Sequence, residues 1–74
     1  NPITTISYGL PNDVKVSLLI YDIDGRKMTT LTQGLKPAEN YSIELNAEGL
    51  SSGVYFVKLE AGNFIKIQKL MFIN

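Results

Sequence analysis

The stretch Val14-Lys15-Val16-Ser17-Leu18-Leu19-Ile20-Tyr21-Asp22 decides the fold. Val14, Val16, Leu18 and Ile20 fall on one face of an extended chain, and Lys15, Ser17, Leu19 and Tyr21 fall on the other. Apolar residues at every second position bury one side of a β-strand, whereas a helix repeats at about 3.6 residues. The second face also carries Leu19 and Tyr21, so this strand is expected to be central and more than half buried.

Working outward from it, Ile6, Tyr8 and Leu10 alternate with Thr5, Ser7 and Gly9 before the turn chemistry of Pro11-Asn12-Asp13. On the other side Asp22-Ile23-Asp24-Gly25 predicts a hairpin, since glycine takes positive φ freely and aspartates cap loose amides. Residues 26–32 are rich in threonine, with Met28 and Leu31 out of strict alternation, which predicts an edge strand carrying a bulge. Gln33 to Glu39 reads as a long crossing loop. Tyr41, Ile43 and Leu45 then form a one-sided strand.

Asn46 to Gly53 predicts a corner with room for one short helical turn, Leu50 plugging the core and Gly49 and Gly53 barring anything longer. From Val54 to Glu60 the inward set is Tyr55, Val57 and Leu59. Ala61-Gly62-Asn63 turns the chain into Phe64 to Ile73, expected to be the longest strand. Short strands at a spacing of about ten residues, divided by turns and with no long helix, predict an all-β fold. The expected form is an immunoglobulin-like antiparallel β-sandwich of six to seven strands, one domain over residues 1–74. The Cys and Trp marks of antibody domains are missing.

Composition narrows the chemistry. Seven Lys+Arg balance seven Asp+Glu, with no basic block, which argues against nucleic acid or an anionic membrane surface as partner. With no Cys and no His there are no disulfides, no thiolate metal site and no histidine base, and no cofactor is expected. No apolar run approaches the roughly 18 residues of a spanning helix, so no direct membrane insertion is expected. The start at Asn1-Pro2, without an initiator methionine or a signal peptide, reads as the tail of a longer protein cut at a linker.

The remaining motifs favour structural roles. Asp22-x-Asp24-Gly25 begins like a calcium loop, but the glycine comes too early and the distal bidentate Glu is missing, so a hairpin is expected and no metal. The carboxylates fall in turns or at outward positions where nothing raises a pKa, so no catalytic residues are assigned and the domain is expected not to be an enzyme. Asn40-Tyr41-Ser42 matches a glycosylation pattern and is read as unused. Tyr8, Tyr41 and Tyr55 belong to the core, while Tyr21, Phe56 and Phe64 are candidates for an exposed patch. The last strand mixes Lys66 and Lys69 into a nearly continuous apolar run. The lysines guard an edge against stray pairing, or the strand is one that a partner extends or grips.

Several of these residues form a familiar set: Asn1-Pro2, Ile6-Ser7-Tyr8-x-Leu10-Pro11, Val16-x-Leu18-x-Ile20-Tyr21-Asp22-x-x-Gly25, Leu50-x-x-Gly53-Val54-Tyr55 and Lys69-Leu70. Together they resemble the type A C-terminal sorting domain of type IX secretion cargo in Bacteroidetes-type bacteria. The resemblance implies a non-enzymatic signal that directs a cargo, carried upstream in the same chain, through the periplasm and across the outer membrane to the cell surface or beyond. Its implied partners are the outer-membrane translocon and a cell-surface sortase-like peptidase that cuts at or before Asn1.

Translocon recognition is assigned to Lys66, Lys69, Leu70, Met71, Phe72 and Ile73. Pro2, Tyr8, Pro11, Tyr21, Asp22, Gly25, Gly53 and Tyr55 are structural. The ending Phe72-Ile73-Asn74 departs from the family in lacking a basic last residue. Two alternatives stay open. The flagellar hook-capping immunoglobulin-like domain has a similar Val-x-Leu-x-Ile-Tyr-Asp-x-x-Gly and Gly-Val-Tyr pattern. An accessory adhesive or carbohydrate-binding sandwich of a secreted enzyme would use Tyr21 and Phe56.

Overall fold

The computed structural model describes residues 3–46 and 48–73, so the expectations placed on Asn1, Pro2, Ala47 and Asn74 lie outside the described residues. The structure is all-β with six strands: β1 Ile3–Gly9, β2 Val14–Asp22, β3 Lys27–Lys36, β4 Asn40–Asn46, β5 Gly53–Ala61 and β6 Phe64–Phe72. They make two antiparallel layers, a four-stranded sheet in the order β3-β2-β5-β6 and a two-stranded sheet of β1 and β4. The described residues thus form a β-sandwich of six strands, within the expected six to seven.

The core follows the alternation that defines β2. Val16, Leu18 and Ile20 are almost fully buried, and their direct register partners Leu59 and Val57 on β5 are buried beside Leu18 and Ile20. Removing such side chains from water stabilises the fold by about 1.5–3 kcal/mol each. Leu10, Leu45, Tyr55 and Phe72 close the core from the other elements, and Leu50 packs against it as the expected plug. Among the described residues, the segment around Leu50 is a series of turns and bends, without the helical turn that the spacing allowed.

The edge strand β3 carries the expected bulges, at the residues that broke the alternation. Leu18 pairs with Thr32 and Leu19 with Thr30, leaving Leu31 extra, and Ile20 pairs with Thr29 and Tyr21 with Lys27, leaving Met28 extra. The bulge turns Leu31 toward the core, where it packs. The expected loop from Gln33 to Glu39 is corrected. The ladder continues from Ser17↔Gln33 to Val14↔Lys36, and only Pro37, Ala38 and Glu39 connect to β4. Backbone pairing with β2 holds this half of the strand. Leu35 stays 73% exposed, so no buried alternation marks it in the sequence. At ten residues β3 is also the longest strand, while β6 has nine and ends at Phe72, before Ile73.

The turns behave as their residues require. At the β2–β3 hairpin the Asp22 Oδ1 accepts the amides of Asp24 and Arg26, both at 2.9 Å, and Gly25 takes a φ of 84°. Two tyrosines brace corners in the same way: the Tyr41 hydroxyl donates to the Pro37 carbonyl at 2.6 Å and the Tyr55 hydroxyl to the Ser51 carbonyl at 2.7 Å. Each reaches back four residues to fix the entry into its strand, as the tyrosine corner of immunoglobulin-like sandwiches does. Tyr8 and Tyr41 face each other across the β1–β4 ladder with stacked rings, 5.2 Å between centroids.

Candidate recognition surface

β6 lies at the free edge of the four-stranded sheet, paired on one side only, to β5. Because side chains alternate along a strand, the six residues assigned to recognition divide between two faces. Lys66, Leu70 and Phe72 share the face turned toward the β1–β4 layer, opposite Leu59, Tyr55 and Gly53 in register. Lys69 and Met71 share the outer face, opposite Phe56 and Val54. Ile73 follows the strand.

Cover on the inner face grows toward the chain end. Lys66 and Gln68 are exposed, Leu70 is half-buried, and Phe72 is only 6% exposed, its ring tilted against that of Tyr55 with centroids 5.5 Å apart. Met71 and Ile73, by contrast, are 62% and 76% exposed. The strand is therefore nailed down at Phe72 while its outer face and the following residue stand in solvent. Among the described residues neither Lys66 nor Lys69 has a carboxylate within ion-pair distance. The ion pair that forms is Lys58 Nζ to Glu60 Oε1, at 3.5 Å on β5.

The outer face is more apolar than the lone candidates Tyr21, Phe56 and Phe64 suggested. Tyr21 and Phe56 are direct register partners and half-buried, with the Lys58 ammonium 5.9 Å from the Tyr21 ring centroid. Together with Ile23 and Ile67 they line a shallow cavity of about 420 Å³. Phe64 does not join them. It lies opposite Ala61, turned to the other face, and lines a cavity with Gly9, Leu10 and Pro11. The residues that complete the outer face are Ile65, Ile67 and Met71, all exposed. Their signal in the sequence was the nearly continuous apolar run of β6, which conceals alternation because both of its faces carry apolar residues.

The structural set behaves as its residue types demand. Tyr55 is buried, Tyr8 half-buried and packed on the core, and Asp22 and Gly25 form the hairpin described above. Gly53 opens β5 with a φ of 154°, and Pro11 lies in the turn between β1 and β2. Several carboxylates are committed to the fold: Asp13 Oδ1 accepts the Ala38 amide at 2.7 Å, Asp22 holds its hairpin, and Glu60 pairs with Lys58. Among the described residues, what this surface offers a partner is an unpaired strand edge, exposed apolar side chains and the Lys66 and Lys69 ammonium groups without a carboxylate partner.

Comparison with curated proteins returns no match. The profile of the family described as the secretion system C-terminal sorting domain matches residues 1–74. Such a domain marks proteins exported to the cell surface or the extracellular space. With that match over its whole length and an all-β sandwich beneath it, the chain belongs to the C-terminal sorting domains of the type IX secretion system.

Proposed function

We propose that this domain is a non-enzymatic address carried at the end of a longer secreted protein, read at the outer membrane by the type IX translocon through β6 and the residue after it. Lys69, Met71 and Ile73 make the contact, with Lys66 reached from the other face of the same edge. Leu70 and Phe72 act by holding the strand in position. A cell-surface sortase-like peptidase then separates cargo from signal at or upstream of Asn1. The observation that carries this reading is the contrast within β6, where a buried Phe72 fixes a strand whose neighbours Met71 and Ile73 are exposed. Edge strands of this kind bind partners through main-chain hydrogen bonds, with alternate side chains giving specificity.

The test is a fusion of residues 1–74 to a periplasm-targeted reporter, expressed in a host that has the type IX system. Reporter at the cell surface or in the medium is the expected result, and retention in the periplasm contradicts the reading. A second reading, a carbohydrate-binding module, draws on the Tyr21–Phe56 pair and its cavity. A glycan array separates the two, since binding lost on Tyr21→Ala or Phe56→Ala would favour the module.

A further inference from the structure

The two layers of the sandwich are unequal, four strands against two, and among the described residues β1 and β4 each keep one outer edge without a strand. Among the described residues β1 pairs with β4 alone, so its other edge carries no strand there. Which backbone groups that edge offers follows from the register. Leu10 and Glu39 exchange both of their hydrogen bonds, at 3.0 and 3.1 Å, and Gly9 pairs with Asn40 next to them. Hydrogen-bonded and non-hydrogen-bonded pairs alternate along an antiparallel ladder. Thr4, Ile6 and Tyr8 therefore bond to β4, while Thr5, Ser7 and Gly9 turn their N–H and C=O groups to the free edge.

That edge borders a groove. Residues 6–9 form one wall, Phe64, Lys66 and Gln68 of β6 form the other, and Val57 and Leu59 lie in the floor, enclosing about 140 Å³. Gly9, Leu59 and Phe64 also line the adjoining cavity of about 440 Å³ against the β1–β2 turn, so the groove continues past the end of β1. Phe64 is 57% exposed although it lies on the face turned toward the other layer. Lys66 is the one charged side chain among the described residues of the narrower cavity, and it has no carboxylate partner.

We infer that this groove accepts an extended segment of a partner protein as a third strand of the smaller sheet. The segment pairs with Thr5, Ser7 and Gly9, sends alternate apolar side chains over Phe64 and the core, and sets a carboxylate against Lys66. The charge and the edge together select this occupant. β1 itself carries no carboxylate, so pairing of β1 between two copies of this chain leaves Lys66 unanswered. The outer edge of β3 is broken by the bulges at Met28 and Leu31. Strand addition of this type draws affinity from the main chain and specificity from every second side chain. It does not depend on the export reading, and either can fail without the other.

The probe is the synthetic peptide acetyl-Thr-Val-Thr-Glu-Thr-Val-Thr-amide, whose roughly 3.3 Å rise per residue matches an extended strand along the groove. Its binding to the 74-residue chain is followed by NMR and amide hydrogen exchange. Slower exchange at Thr5, Ser7 and Gly9, with shifts at Lys66 and Phe64, is the expected result. Lys66→Glu should weaken this peptide by about fivefold and favour the version with Lys in place of Glu. Ser7→Pro removes an outward donor, a change that edge strands tolerate, so it should abolish binding in a chain that still folds. Unchanged exchange at the three β1 amides at millimolar peptide, protection on β6 or β3 instead, or indifference to the charge at position 66 would each overturn the inference.

Discussion

Phe72 packs against Tyr55, ring centroids 5.5 Å apart and planes tilted by 52°, and this contact fastens the last strand to the core. Tyr55 is itself braced by the bond from its hydroxyl to Ser51. The corner before β5 and the end of β6 thus share one support. Phe72→Ala should cost about 3–5 kcal/mol, the usual loss for a buried phenylalanine. At about 0.05–0.15 kcal/mol per residue the whole domain holds only a small multiple of that, so urea denaturation should show a strongly lowered midpoint. Tyr55→Phe keeps the ring and loses the hydroxyl bond, and should cost about 0.5–1.5 kcal/mol.

The sequence already showed why this support exists on the β5 side. Tyr55, Val57 and Leu59 alternate cleanly with outward residues, as β2 does, because one face of each is packed. Phe72 was legible as apolar but not as buried, since β6 is apolar on both faces and period two disappears. The second half of β3 was illegible for another reason: Gln33, Gly34 and Leu35 are held by backbone pairing to β2 and bury little. Bulges, by contrast, left a readable trace in the misplaced Met28 and Leu31. Which of the two faces of β6 turns inward required the register with β5, which no local pattern contains.

Turn chemistry gives a contrast between two glycines at positive φ. Gly25, at 84°, has open space where a Cβ would stand, whereas a Cβ at Gly62, at 62°, would meet Val14 Cγ2 at 3.0 Å. Both alanine variants pay about 1–2 kcal/mol for the left-handed backbone. Gly62→Ala should lose more, because Val14 must also move. Paired thermal melts of the two variants would check the order, and equal losses would count against the crowding at Val14.

The carboxylate of Asp22 holds two amides at once, so Asp22→Ala should free both. Hydrogen exchange at Asp24 and Arg26 should quicken while the β2–β5 ladder stays protected. The expected loss is about 1 kcal/mol, confined to the hairpin.

Two tyrosines link stability to alkaline pH. Burial pushes the Tyr8 phenol above its ordinary value. At Tyr41 burial does the same, aided by the neighbouring Glu39 carboxylate. Folding therefore favours the protonated phenols. The resulting stability is fully present below the unfolded pKa of about 10 and is lost as pH rises through the higher folded values. Phenolate absorbance should show both groups ionising late, and Glu39→Gln should bring Tyr41 back toward its ordinary range. Titration of Tyr41 unmoved by Glu39→Gln would contradict the assigned contribution.

The most direct measurement compares export of a reporter fused to residues 1–74 with export of the same fusion bearing Lys69→Glu and Met71→Asp. Both substitutions lie on the outer face of β6, where a change of charge leaves the core untouched, and urea denaturation confirms that the variant is folded. Stalling of the folded variant in the periplasm, while the unaltered fusion reaches the cell surface, is the predicted result. Export of the variant at the level of the unaltered fusion would contradict the account.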